Sequence, residues 1–435
     1  MRPLIKVIDI LAFIIFGAIC AYFVIGIAAI SSFISKRRHV SGELRELSFV
    51  IYDLISNKYR SMYEDALLEG YIARHYCIYL DFNNTSDRYE NIEDKIFFYS
   101  IAAHPGGGIY KAGFRSMNIL LIEAKVLLRG ALLVWMNRVN FIKAHDPHLL
   151  GFNGLIIAKL FGLPCVLHIN SDFGMKYLGT GKIASPMLIS RGIERIFESM
   201  VMVFYDLIMA DRKFYRNSRS LPKLSRRKYR AFGVRVDGLH YLEPASRRDL
   251  KESLGLKGRK VLLYVGRLHP VKYAEDAVKA ISIVKKSVPS AALLMVGTGI
   301  LRRTLERMAD EYGIGDSVLF LGQKTHEELV DILYTADLLL APHGGVTLVE
   351  SALASTPVIA YDFDWHSEFL VDGETGYIVP FRDFEGMARK AVDILTNESV
   401  RAKMRDRCRR KAVSGYSREA SMRNERKVYE ELIGA

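Results

Sequence analysis

The stretch Lys260–Ala280, "KVLLYVGRLHPVKYAEDAVKA", decides the fold. Lys260–Val265 is aliphatic and aromatic enough to read as a buried strand, and Gly266 ends it. A helix opens near Tyr273. The turn between carries Arg267 and Lys272. Arginine grips two oxygens in a fork, lysine adds a mobile point charge, and a helix end adds unbonded amides, so this turn suits a diphosphate. Further strands follow at "AALLMVG" (Ala291–Gly297), "SVLFLG" (Ser317–Gly322), "ADLLLAP" (Ala336–Pro342) and "TPVIAYD" (Thr356–Asp362), with helical spacing between them. Strands alternating with helices predict an α/β fold, its parallel sheet covered on both faces.

The same rhythm runs upstream. Strands are expected at Leu47–Ser56, Arg74–Phe82, Lys95–Ala102, Asn140–Pro147 and Pro164–Asp172. Helices are expected at Lys58–Tyr71, after the loop His104–Gly108 through Leu128, and at Gly151–Gly162. "FGVRVDGLHYLEPASRRDL" (Phe232–Leu250) is polar and turn-rich, and is the expected linker. The reading is two doubly wound, Rossmann-like domains facing a cleft: 44–240, joined by a C-terminal helix at 417–435, and 245–415. Ligands in such sheets bind at the carboxyl ends of the strands.

The chain has 435 residues, too many for one ordinary core, and its 50% hydrophobic and 25% charged composition is globular. Cys20, Cys77, Cys165 and Cys408 lie far apart with no metal spacing, which suggests a reducing compartment. From Ile10 to Ser35 no side chain is charged, so 1–40 is expected to be a retained transmembrane anchor with a basic flank. Lys36, Arg37 and Arg38 outweigh Arg2 and Lys6, which places the rest of a single-pass chain on the cytoplasmic side. The net charge of +13 owes much to Asp211–Arg230 and Arg401–Lys411, stretches suited to anionic lipid headgroups. No nucleic-acid-binding signature accompanies the charge.

Other turns in the second domain carry candidate ligand contacts. Gly297 and Gly299 would let backbone approach a ligand closely. Gln323 and Lys324 follow a strand end and could border a flat base. Gly344 and Gly345 turn the chain into a helix whose first residues, Val346, Thr347 and Leu348, offer amides to an anion. Glu350 stands about one turn on, among apolar neighbours where a lone charge is costly, and could accept from a ribose diol.

These segments together resemble the GT-B glycosyltransferases of family 4, from about Leu47 to the end. The resemblance is most specific in "GRLHPVK", "VGTGILRRTLE", "VLFLGQKTHEELVDILYTADLLLAP", "LVESALASTPVIAYD" and "DGETGYIVPFRD". It implies a nucleoside-diphosphate sugar as donor, with Arg267 and Lys272 on the diphosphate, Glu350 on the ribose, and Gln323 and Lys324 beside the base. It implies retention of anomeric configuration without a metal or other cofactor. "FIKAHDPHLLGFNGLIIAKLFGLPCVLHINSDF" resembles the family's acceptor side, where His145 and Asp146 end a strand. An imidazole there could orient an acceptor hydroxyl or take its proton. The family's first glutamate, eight positions before Glu350, is replaced by Pro342, with His343 and Glu368 as candidates for the sugar contact. The family's histidine beside the reaction centre is replaced by Asn170, with His168 on the same strand face. Trp365 and His366 are additions to the pattern. With the expected anchor, the acceptor is read as a lipid-linked saccharide or glycolipid at the bilayer. The alternative is a transfer-inactive, nucleotide-binding tethered partner of another glycosyltransferase.

Overall fold

The computed structural model describes residues 43–51, 72–81, 86–92, 94–102, 115–169, 191–218, 220–234, 236, 241, 249–416 and 418–433. The predicted span at 10–35, the helix at 58–71 and Asn170 lie outside the described residues. Among the described residues no helix is long and apolar enough to cross a membrane. The chain divides into two units, one built mainly from residues up to 232 with 424–435, the other from 212–214 and 233–423.

The first unit holds an eight-stranded sheet in the order β3-β4-β2-β1-β5-β6-β7-β8. Its strands are β1 (Arg45–Ile51), β2 (Arg74–Asp81), β3 (Arg88–Ile92), β4 (Ile96–Ala102), β5 (Phe141–Ala144), β6 (Cys165–Ile169), β7 (Leu207–Ala210) and β8 (Tyr229–Ala231). Seven of them pair in parallel, but β3 pairs antiparallel with β4. An all-parallel sheet is therefore not what forms. Arg88–Asn91 are all exposed, so β3 is a polar edge strand rather than a buried one, which disguised it in the sequence. Helices α1 (Arg115–Asn137), α2 (Leu149–Phe161) and α3 (Arg191–Phe204) accompany this sheet. α1 runs past the expected end at Leu128 because Gly130 does not break it. A Cβ at Gly130 would lie 3.2 Å from the Phe49 ring and 3.3 Å from Ile157, so the glycine sets the helix close to the sheet.

The second unit holds a wholly parallel six-stranded sheet in the order β11-β10-β9-β12-β13-β14. The strands are β9 (Lys260–Val265), β10 (Ala291–Val296), β11 (Val318–Gly322), β12 (Leu338–Ala341), β13 (Val358–Tyr361) and β14 (Gly376–Val379). Helices α4 (Ala274–Ser287), α5 (Arg302–Glu311), α6 (His326–Thr335), α7 (Thr347–Leu353), α8 (His366–Phe369), α9 (Phe384–Thr396) and α10 (Glu398–Gly415) follow in chain order, then α11 (Arg418–Ile433). Period two splits β9 between two cores: Leu262 and Tyr264 join the cluster under α4 and α9, while Val261 and Leu263 join the one under α6 and α7. Burial on both faces explains the unbroken apolar runs of the inner strands, while β11 at the sheet edge is only partly buried.

Candidate functional site

In the second sheet the strand order reverses once. Chain order runs outward from β9 to β10 and β11 on one side, and from β12 to β13 and β14 on the other. At such a switch point the two neighbouring loops leave in opposite directions and open a crevice at the carboxyl ends. The loop after β9 carries Arg267 and Lys272, and the loop after β12 carries Pro342 to Val346. The topology thus brings together two segments separated by some seventy residues, as the Lys272 Nζ donating to the His343 carbonyl at 3.3 Å records.

Lys272 is half-buried, and Arg267 is exposed. Burial, with the charges of Arg267 and Arg212, pulls the Lys272 ammonium down to about 8, against the opposing pull of Asp364. A cluster of like charges that lowers a lysine is a place where an added anion is favoured. Tyr264 steadies the loop, its hydroxyl donating to the carbonyls of Arg267 (3.3 Å) and Lys272 (3.4 Å). Burial also takes the His343 imidazole down to about 4, helped by Lys272. The neutral ring donates from Nδ1 to the Val271 carbonyl at 2.6 Å, which leaves Nε2 as its acceptor nitrogen.

Gly297 and Gly299 pack directly against the neighbouring loop. A Cβ on Gly297 would come 2.1 Å from the Gly266 carbonyl oxygen, and one on Gly299 2.2 Å from that of Leu268. Their bare backbone admits the Arg267 loop. The Leu268 amide donates to the Thr298 carbonyl, and the Leu301 amide to that of Leu268, so the two loops are stitched together. Gln323 is exposed and Lys324 pairs with Glu328 at 2.9 Å, just before the capping box that Thr325 and Glu328 form on α6. Gly345 has open space where a side chain would be, and α7 then starts with Leu348 bonding back to Gly345 and Glu350 to Val346. The carboxylate of Glu350 is largely buried, 3.8 Å from His326 Nδ1. Its apolar setting is therefore shared with a histidine as well as with the crevice.

The segment after β13 is mostly structural. Trp365 is fully buried, with the Arg212 guanidinium 4.7 Å from its ring centre. His366 is also buried, its two nitrogens facing the carbonyls of Tyr361 (2.8 Å) and Gly344 (3.1 Å). Both oxygens of Glu368 accept backbone amides, from Lys213 and Phe214, each at 3.0 Å. Glu368 thereby fixes the Arg212–Phe214 segment and sets Arg212 near Lys272. Sequence reasoning missed Arg212, because nothing local distinguishes it from its basic neighbours; only the tertiary arrangement selects it.

In the first unit a reversal of strand order falls between β1 and β5. His145, Asp146 and His148 follow β5 at its carboxyl end. His145 is buried, its ring 5.0 Å from that of His168 on the adjacent β6. Burial, with Lys143 and His75, holds His145 well below the ordinary histidine range, so it is neutral. Asp146 accepts the His148 amide at 2.7 Å and so holds the turn into α2. A buried ion network lies next to it and was not foreseen. His148 Nε2 lies 3.0 Å from Glu198 and 3.5 Å from Glu194, and Arg191 bridges both carboxylates at 2.7 and 2.6 Å. Burial alone would lower His148, but hydrogen bonds to Asp146 and Glu198 and their charges outweigh it and raise it to about 9. The signal was present in "RGIERIFE", whose Arg191, Glu194 and Glu198 fall on one helix face. His148, Glu194 and Glu198 are close enough to share a metal ion, but the arginine already supplies the balancing positive charge.

Residues 246–413 match the family described as Glycosyl transferases group 1. The alpha-D-kanosaminyltransferase of Streptomyces kanamyceticus is 24% identical over 290 residues, which cover 65% of this chain and 74% of that protein. The chain spans about half the length of several other curated relatives it matches. Among solved structures, the sucrose-phosphate synthase of Thermosynechococcus elongatus aligns with a TM-score of 0.70 at 19% identity, covering 90% of this chain and 99% of that one. The Anabaena protein HepE, solved with UDP and glucose, aligns with a TM-score of 0.66 at 15% identity over 90% of this chain and 100% of its own. The fold is shared with these structures.

Proposed function

We propose that the chain, whose residues 246–413 match the Glycosyl transferases group 1 family and whose fold is shared with sucrose-phosphate synthase and HepE, is a glycosyltransferase that moves a sugar from a nucleoside-diphosphate donor to an acceptor at a membrane, with retention at the anomeric carbon. The observation that carries the donor reading is the pair Arg267 and Lys272 at the switch point of the second sheet, joined by Arg212. HepE, of the same fold, was solved with UDP and glucose.

In this reading the bond from the anomeric carbon to the diphosphate oxygen breaks, and the electron pair leaves with the diphosphate. The acceptor oxygen bonds the same carbon, and its proton passes to the departing diphosphate. Arg267 and Lys272 stabilise the charge that develops on the leaving group. Glu350 holds the ribose, and Gln323 and Lys324 border the base. His343, neutral and with Nε2 as acceptor, takes over the sugar hydroxyl contact that a glutamate at Pro342 would have made. His145, also neutral, orients the acceptor hydroxyl. No metal is called on. The acceptor is read as a lipid-linked saccharide or glycolipid, and the uncharged run at 10–35 as the anchor that keeps the chain on the cytoplasmic face.

The test is transfer of labelled sugar to a lipid extract by the full chain, with UDP, GDP and ADP sugars offered in turn. Arg267→Ala is expected to lose about a hundredfold to a thousandfold in kcat. Full activity in that variant would remove Arg267 from the diphosphate site. Nucleotide binding with no transfer from any donor would favour the tethered-partner reading, which the proline at 342 motivates.

A further inference from the structure

We propose that the outward face of α1 docks on the surface of an anionic bilayer. α1 buries Ile122, Val126, Leu133 and Val134. On its other side Leu121, Leu128, Leu132, Trp135 and Met136 are 49%, 64%, 39%, 76% and 69% exposed. At about 100° per residue these five fall within an arc of roughly 120°, a continuous stripe along the helix. Apolar side chains scattered singly over a surface need no explanation, but a stripe of this kind marks an interaction face.

The charges on the stripe choose the occupant. Lys125 and Arg129 are exposed on the same arc, Arg138 is exposed just past the helix end, and no acidic residue lies on that arc. A helix face with leucine, tryptophan and methionine on it and only cations beside them is the pattern of an element that lies in a lipid interface. Pairing the same face with a second copy would set Lys125 and Arg129 of each chain against one another, and Asp87, paired with Lys125, offsets one of the two charges. A groove of about 500 Å³ adjoins the stripe, lined in part by Arg88, Tyr89, Tyr99, Lys125 and Arg129. The Arg129 guanidinium lies 5.4 Å from the Tyr99 ring centre. Asp87, the acid on this groove, is 3.5 Å from Lys125 and bonds the Ala102 amide. Arg88 and Arg129 thus give the groove the sign and donors for a lipid phosphate. The inference is independent of the sugar-transfer reading, because a chain can dock whether or not it transfers.

The chain carries two tryptophans, and they serve as the probe: Trp135 is exposed, and Trp365 is fully buried. The full chain would be reconstituted with vesicles of phosphatidylcholine and phosphatidylglycerol bearing brominated acyl chains. Trp135 emission should shift to the blue and fall about twofold, as for an aromatic seated at the acyl boundary. Trp135→Phe should abolish the response while keeping the Trp365 signal, which also reports that the variant is folded. The double variant Lys125→Glu, Arg129→Glu should bring the quenching down to that in purely phosphatidylcholine vesicles. Unquenched wild-type Trp135 overturns the proposal, whether the face stays in water or a doubled particle mass shows a second copy covering it. Quenching that ignores both the lysine–arginine variant and the lipid charge overturns it as well.

Discussion

Lys272 reaches the His343 carbonyl from a half-buried position, and with Arg267 and Arg212 close by its ammonium sits at about 8. A diphosphate bound beside it would favour the charged form and raise it again. Nucleotide binding near pH 8 should then take up a proton. Affinity should weaken as pH rises past about 8, where the free enzyme must first be protonated. Calorimetry in buffers of different ionisation enthalpy reads the proton directly, and Lys272→Met should abolish the uptake. Binding without uptake would separate Lys272 from the anion. Gly297 bears on the same loop from the other side. At φ 131, with the Gly266 oxygen 2.1 Å from where a Cβ would stand, it has no room for a side chain. Gly297→Ala should cost about 2–4 kcal/mol in a denaturant titration and weaken donor binding with it, because the displaced loop is the one holding Arg267. An alanine variant of undiminished stability would show that this loop yields.

At the scale of elements, Glu368 ties the end of α8 to the Arg212–Phe214 segment through two backbone amides. In Glu368→Gln an amide group faces one of those amides and leaves it unbonded. The expected loss is about 1–3 kcal/mol of stability, with a rise in donor KM as Arg212 drifts and a far smaller drop in kcat than in Arg267→Ala. A kcat loss equal to that of Arg267→Ala would instead make Glu368 part of the chemistry. Glu368 also shows what the sequence could and could not tell. The inner strands of the second sheet, β9, β10, β12 and β13, were readable because they are buried and apolar almost throughout, and the Arg267 loop was readable because a glycine and two cations follow β9. β3 was not, since an exposed edge strand has neither apolar runs nor clean alternation. The partners of Glu368, the contact of Glu350 with His326 and the bracing role of Gly297 depend on residues far apart in the chain. No local pattern encodes them.

The whole chain divides into two units with separate cores, and their stabilities should answer to different variables. In the first unit the buried His148 is held at about 9 by Asp146 and Glu198, against an ordinary value of 6.5. A histidine raised by folding adds stability that is complete below its unfolded value and lost as pH climbs through its folded one. The first unit should therefore lose a few kcal/mol between about pH 6.5 and 9, as His148 gives up its proton between Glu194 and Glu198. His148→Gln should start lower near pH 6 and stay flat across that window. The second unit has its cationic crevice instead, and its melting should rise with the nucleotide that fits, by about 2.7 kcal/mol at a hundredfold excess over Kd. Calorimetric scans of the full chain, with pH and nucleotide varied in turn, can tell these apart. Two transitions, one moving with pH and lost in His148→Gln, the other moving with nucleotide and lost in Glu350→Ala, are the expected outcome. A single transition that shifts equally under both would mean that the two cores unfold as one cooperative block.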